Sequence, residues 1–237
     1  VLVSVPGRYA AKVARDALDI NKHVFLYSDN VSLEDEVALK KTAKEKGLLV
    51  MGPDCGTAIV NGIGLGFANH VNRGPIGLVG ASGTGLQVIT SEIHRQGGGV
   101  SHAIGTGGRD LDIQVGALTA FAALGLLAAD DETKAIVLVS KPPDPGVASR
   151  LLSAAWRCGK PVVINFIGHP PPARRIGPLR FASSLSDAAS QAVQITDQNE
   201  STGEYQKLDA HPEARFIRAL MAGGTIAYEV VIGLKSV

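Results

Sequence analysis

Residues Gly80–Gln87 read Gly-Ala-Ser-Gly-Thr-Gly-Leu-Gln. They follow the apolar run Ile76–Val79 and open an amphipathic stretch. Glycines in such a strand-to-helix turn let backbone N–H groups approach an anion, and the helix N-terminus adds positive potential. Ser82 and Thr84 either cap that helix or bond phosphate oxygens. The turn lacks the Gly-Lys-Ser/Thr ending of a Walker A loop and the spacing of a dinucleotide GxGxxG. Ser82, Gly83, Thr84 and Gly85 are therefore the first candidate anion-binding residues. A second glycine turn, Ile-Gly-Thr-Gly-Gly-Arg-Asp-Leu-Asp at 104–112, adds Gly107 and Gly108. There Arg109 has the fork geometry to clamp a phosphate or carboxylate, and Asp110 or Asp112 can cap the next helix.

Three more positions carry reactive groups. Lys141, in Leu-Val-Ser-Lys-Pro-Pro-Asp-Pro-Gly at 138–146, can neutralise a phosphate or a carbonyl-bound oxyanion, or simply be solvated. His169, in Asn-Phe-Ile-Gly-His-Pro-Pro-Pro at 165–172, suits a catalytic base or a phosphorylated nucleophile, or a structural histidine. Cys55, in Met-Gly-Pro-Asp-Cys-Gly-Thr-Ala at 51–58, reads as a buried structural cysteine. A reactive thiol needs a lowered pKa, and Asp54 beside it opposes that.

The elements that position these groups follow from alternating patterns. Short, continuously apolar runs predict strands at 1–5, 23–28, 48–51, 75–80, 100–104, 134–140 and 161–167, covered on both faces. Helical patterns lie between them near 8–19, 32–46, 84–97, 111–129, 145–158 and 184–194, with Ser32 as an N-cap. Strict alternation makes the fold α/β, with parallel sheets and helices on both faces. The expected organisation is the back half of a Rossmann-like domain at 1–73 and a flavodoxin-like unit at 74–194. A polar linker follows at 195–214, and 215–237 carries fragments of a further domain. The opening Val-Leu-Val-Ser-Val is already mid-strand in character, so the sequence predicts a missing N-terminal piece and a chain that joins separated segments.

Composition excludes several classes. A net charge of +1, with basic residues dispersed, offers no nucleic-acid surface. Two cysteines make neither a disulfide framework nor a metal-ligand spacing, so no metal is expected. No apolar run spans a bilayer and no signal peptide is visible, which leaves a cytoplasmic protein acting on a small molecule.

Taken in order, GPDCGT, GLVGASGTG, IGTGGRDLD, KPPDPG and KPVVINFIGHPPPARR resemble the FdrA proteins. These are relatives of the succinyl-CoA synthetase α-subunit within the ADP-forming acyl-CoA synthetase superfamily. The resemblance covers roughly residues 1–190. It implies a CoA-binding Rossmann-like domain followed by a flavodoxin-like ligase domain. It places Pro6, Gly7, Ser28, Asn30, Pro53 and Asp54 near coenzyme A, with ADP or ATP as a further ligand and a homo-oligomer or partner subunits as the assembly. It also makes the two glycine loops the receivers of a phosphohistidine. The sequence departs from that pattern twice. Pro178 stands at the histidine position, in Arg-Ile-Gly-Pro-Leu-Arg, and Ser140 and Lys141 stand near the supporting glutamate. The anion scaffold remains while the phosphohistidine relay is lost. The family association with ureide breakdown then implies an oxamate carbamoyltransferase subunit as an alternative. Phosphate or carbamoyl phosphate is its ligand, and Arg109, Lys141 and His169 are its catalytic candidates. A non-catalytic partner subunit is the third reading.

Overall fold

A computed structural model describes residues 1–169, 171 and 173–197. The chain builds two sheets. The smaller is parallel, in the order β1 (Leu2–Val3), β2 (Val24–Leu26), β3 (Val50–Met51). Helices α1 (Gly7–Asp19) and α2 (Leu33–Glu45) make its crossovers. Helix α1 buries Ala10, Ala11, Ala14, Ala17 and Leu18, a stripe at helical spacing that lets the helix sit close to the sheet. Ser32 does cap α2, accepting from the Asp35 N–H at 3.1 Å.

Among the described residues the larger sheet has eight strands, in the order β10-β11-β9-β8-β6-β7-β4-β5. Its parallel centre is β6 (Ile76–Gly80), β7 (Val100–Gly105), β8 (Ala135–Ser140), β9 (Val162–Phe166) and β11 (Leu179–Phe181). Every residue of β6 and β8 is buried, as continuously apolar runs require. Helices α4 (Leu118–Ala129) and α5 (Pro145–Arg157) cover one face through Leu124, Leu127, Leu151 and Ala155. Helices α3 (Gly83–Arg95) and α6 (Leu185–Thr196) cover the other through Ile89, Ile93, Ala188 and Ala192. Phe25, Met51 and Cys55 join the first of these cores, so the small sheet and the large one share apolar packing.

Three features differ from the sequence reading. The stretch 52–74, to which the sequence patterns assign neither strand nor helix, contains an antiparallel hairpin, β4 (Thr57–Val60) and β5 (Ile63–Gly66). Through Ile59 and Ala103 it pairs with β7, so it lies in the larger sheet although it precedes Arg73. Its first strand, Thr-Ala-Ile-Val, has high strand propensity, and Asn61-Gly62, at φ 52° and 77°, is the two-residue turn that signals a hairpin; only the return strand Ile-Gly-Leu-Gly is weak and takes its order from the pairing. The helix expected from 111 begins only at Leu118, because Gly116 and Ala117 take left-handed conformations, φ 72° and 62°. The proline-rich segment after β9 also forms strands, β10 (Arg175–Ile176) and β11. Helix α6 runs to Thr196, into the expected linker; 198–214 and the expected fragments at 215–237 lie outside the described residues. No helix among the described residues is long and apolar enough to cross a membrane.

The start of α6 makes a pH prediction. Ser184 caps the helix, and the Asp187 carboxylate accepts from Ser183 N (2.7 Å), Gln191 Nε2 (3.2 Å) and both terminal nitrogens of Arg174. Burial pushes the Asp187 carboxyl up, but the hydrogen bonds from Arg174, Ser183 and Gln191 outweigh it and hold it below the usual carboxylate range. A folded pKa below the unfolded one stabilises the fold above the unfolded value, roughly pH 4, and that stability is lost as pH falls through the folded value. Arg174→Gln is expected to lower the urea midpoint at pH 7 and to differ less from wild type at pH 3. A difference that stays constant between those pH values would contradict it.

Candidate functional site

Strand β6 leads through α3 to β7 on one side, while β8 lies on its other side. The connections thus diverge at the carboxyl ends of β6, β7 and β8, where open α/β sheets bind ligands. A cleft of about 350 Å³ lies there. Its walls are the loop after β6 (Ala81–Thr84), the loop after β7 (Gly107, Gly108), Lys141 after β8, and the turn and hairpin residues Asp54–Thr57 and Phe67.

The first loop is fixed by its own cap. Ser82 is the N-cap of α3, and its Oγ accepts from the Gly85 N–H at 3.1 Å. Ser82, Gly83 and Thr84 line the cleft. Gly85 lies one step behind the wall, with its N–H engaged by the cap. The helix start therefore presents its positive end to the cleft.

The second loop is held by packing that only glycine permits. Gly107 has φ 85°, and a Cβ there would lie 2.5 Å from the Pro53 carbonyl oxygen. The loop after β7 thus sits directly on the Gly52–Cys55 turn. Gly107 and Gly108 line the cleft, as does Lys141.

Two catalytic candidates from the sequence point elsewhere. Arg109 turns away from the cleft: its Nη2 donates to the Val31 carbonyl at 2.8 Å and lies 2.9 Å from Glu36 Oε2, an ionic contact without an aligned hydrogen bond. The left-handed Gly107 redirects the chain, so a residue two positions on faces α2 rather than the ligand crevice. His169 is exposed beyond β9, its N–H bonded to the Phe166 carbonyl, and is not in the cleft wall. Cys55 does reach the wall, but burial pushes its thiol up to about 12, so it is inert as a nucleophile.

Thr57, Phe67 and Gln87 line the cleft and were missed. Gln87 Nε2 donates to Thr57 Oγ1 at 3.0 Å and to the Phe67 carbonyl at 3.1 Å, tying α3 to the hairpin. Gln87 closes the first glycine motif one helical turn beyond Gly83, which is the one signal that marks it.

The remaining candidates gather at the carboxyl ends of the small sheet. Pro6 caps α1 and Gly7 begins it after β1; a Cβ on Gly7 would lie 2.3 Å from the Asp29 carbonyl oxygen, so these two loops touch. Ser28 is buried and accepts from the Val5 N–H at 3.0 Å. Asn30 and Asp54 take left-handed backbones, and the Asp54 N–H donates to the Ser28 carbonyl. Pro53 and Asp54 follow β3, and Asp54 also belongs to the cleft wall, where the two sheets' ligand edges meet.

No protein-family model matches the chain. An uncharacterized protein of Escherichia coli (strain K12), YahF, is 46% identical over 244 residues, covering 98% of this chain and 47% of YahF. The succinate–CoA ligase [ADP-forming] subunits alpha 1 and alpha 2 of Archaeoglobus fulgidus are 28% and 31% identical, each over 74% of this chain and over 60% and 61% of their own length. The chain thus spans about half the length of the curated relatives it matches. Among solved structures, ATP citrate lyase from Methanothrix soehngenii in complex with citrate and coenzyme A superposes with a TM-score of 0.66 at 15% identity, over 93% of this chain and 44% of that one. A dinucleotide-forming acetyl-coenzyme A synthetase 1 from Ca. Korarchaeum cryptofilum, in complex with phosphate and ADP, superposes with a TM-score of 0.57 at 18% identity, over 70% of this chain and 37% of that one.

Proposed function

We infer that this chain, a distant homologue of succinate–CoA ligase α subunits, is the ligand-binding part of an acyl-CoA synthetase-like enzyme and holds a phosphate-bearing ligand in the cleft at Ser82–Thr84, Gly107, Gly108 and Lys141. The observation that carries this reading is the convergence of two glycine loops, a helix N-terminus and one lysine at the carboxyl ends of β6, β7 and β8. The backbone amides of the two loops are fixed before any ligand arrives, so they stabilise negative charge with little reorganisation, and Lys141, exposed at the same edge, adds a positive charge. On this reading residues 1–73 are the coenzyme A unit, with the 57–66 hairpin lent to the sheet of the ligase unit at 74–194. Pro6, Gly7, Ser28, Asn30, Pro53 and Asp54 would hold coenzyme A, which supplies a thiol when bound. Asp54, common to both edges, brings that end to the cleft. The enzyme is cytoplasmic on this reading, and works with further subunits or copies of itself.

A second reading, an FdrA-type carbamoyltransferase subunit, is favoured by the side chains. Among the described residues the cleft wall holds no histidine, and its cysteine is inert. A phosphate oxygen bound between the loops then attacks the carbamoyl carbon of oxalurate with no covalent carrier, Lys141 stabilises the oxyanion, and the bond from that carbon to the oxamate nitrogen breaks; oxamate leaves with the phosphate's proton on that nitrogen, and carbamoyl phosphate remains.

Thermal melting of the full-length protein with coenzyme A, ADP, phosphate and carbamoyl phosphate separates the readings. A ligand at a hundred times its dissociation constant adds about 2.7 kcal/mol. Stabilisation by phosphate together with coenzyme A is the expected result. Stabilisation by carbamoyl phosphate without coenzyme A would favour the second reading, and a melting point indifferent to all four would overturn both.

A further inference from the structure

The junction behind the second glycine loop holds charges that the cleft does not use. Lys40, on α2 of the small-sheet unit, has a side chain 1% exposed. Its Nζ donates to Glu36 Oε1 (2.8 Å), Asp110 Oδ1 (2.8 Å) and the Thr106 carbonyl (2.9 Å). Asp110 is fully buried and accepts from the N–H groups of Thr119 (3.1 Å) and Ala120 (2.9 Å). Ala117, the N-cap of α4, makes no side-chain cap, so Asp110 does that work from a distance. Arg109 completes the set on Glu36 and the Val31 carbonyl. Thr106, Arg109 and Asp110 are therefore each bonded or ion-paired to the small-sheet unit directly.

Gly107 and Gly108 lie between those tethers and supply the cleft wall. Two glycines have no side chains with which to fix themselves, and their neighbours must do it. We propose that Lys40 and Arg109 are positioning residues for the anion cleft: from the small-sheet side they hold the Thr106–Asp110 loop so that Gly107 and Gly108 form its wall. Neither touches the ligand. The inference rests on the reading that phosphate binds this cleft, and it assigns to the junction what the sequence pattern assigned to direct contact by Arg109.

The test uses the full chain and three variants. Arg109→Gln removes a partly exposed tether and is expected to fold. Lys40→Met combined with Glu36→Gln and Asp110→Asn removes the buried charges together, so that no buried charge is left unpaired; the partly exposed Arg109 loses its ion pair and keeps the Val31 carbonyl. Arg109→Lys keeps the ion pair with Glu36. Titration with inorganic phosphate is expected to show about tenfold weaker binding in the first two, and partial recovery in the third. Hydrogen exchange is read in the same samples without ligand. The 104–112 segment is expected to exchange roughly tenfold faster in the first two variants, while β8 and β9 keep wild-type protection. Unchanged exchange at 104–112 overturns the proposal whether or not phosphate binds. Faster exchange there with wild-type phosphate affinity also overturns it. A wild-type protein that binds no phosphate defeats the reading of the cleft instead, and the exchange data then judge the positioning role alone.

Discussion

Lys40→Met by itself is expected to lower the free energy of unfolding by about 3–5 kcal/mol, the usual cost of leaving a buried charge without its partner. The ammonium is enclosed, and it is the shared counter-charge of Glu36 and Asp110, whose side chains are 1% and 0% exposed. Each carboxylate keeps some compensation: Arg109 for Glu36, and the α4 amides for Asp110. That places the loss toward the lower end of the range. It still exceeds a typical point substitution, because a substantial part of the stability of a domain this size rides on it. Urea denaturation at pH 7 measures it. A loss under about 1 kcal/mol would mean that water or the flanking donors already satisfy the carboxylates. The neutral triple variant should regain much of the loss, because an apolar chain beside two amides leaves no charge stranded.

Lys141→Met is expected to act in the opposite way, on binding and not on stability. Lys141 is exposed after β8, and no hydrogen bond or ion pair of its side chain is found among the described residues; the Ser140 Oγ bond to its carbonyl does not depend on the side chain, so the substitution should leave the urea midpoint nearly unchanged. It is the sole lysine or arginine among the described residues of the cleft wall, and hydrogen bonds to charged groups contribute about 1.5–3 kcal/mol. Phosphate affinity is therefore expected to fall about 10–100-fold. Calorimetric titration at low and high salt checks it: the variant should also lose part of the salt dependence of wild type. Equal affinities in the two proteins would return Lys141 to an ordinary solvated loop lysine and leave the helix terminus and backbone amides as the whole anion site.

The two substitutions separate the molecule's two uses of lysine. Lys40 is enclosed by acceptors that the fold itself supplies, so its loss is felt by the fold. Lys141 faces open space at the ligand edge, so its loss is felt by a ligand. Lys40 bonds the Thr106 carbonyl beside Gly107, Lys141 lines the cleft with Gly107, and neither local context says which is which. Lys40 follows Leu39 and precedes another lysine, on a helix rich in charged residues, in Leu-Lys-Lys-Thr.

The sequence by itself determined the class of fold and where the candidate cleft lies. Short apolar runs such as Ile76–Val79 and Ala135–Val139 have no polar face to offer water, so they must be covered on both sides, and helical patterns between them supply the cover. Glycines at the ends of those runs then mark where backbone must turn sharply or approach something closely, and Ser82, Gly83, Thr84, Gly107 and Gly108 do meet at one cleft. What only the tertiary structure decided is the direction of the side chains and the source of the remaining walls. Arg109 faces α2 because the left-handed Gly107, pressed on the Pro53 carbonyl, turns the chain behind it. Thr57 and Phe67 reach the cleft because the 57–66 hairpin, whose Asn61-Gly62 turn is legible in the sequence, pairs with β7 at the edge of the large sheet, and that pairing is not local. Lys40 becomes part of the site's support through Asp110, seventy residues away. Periodicity registers which residues are apolar along one element, whereas these outcomes depend on pairings between elements, and such long-range contacts leave no local pattern to read.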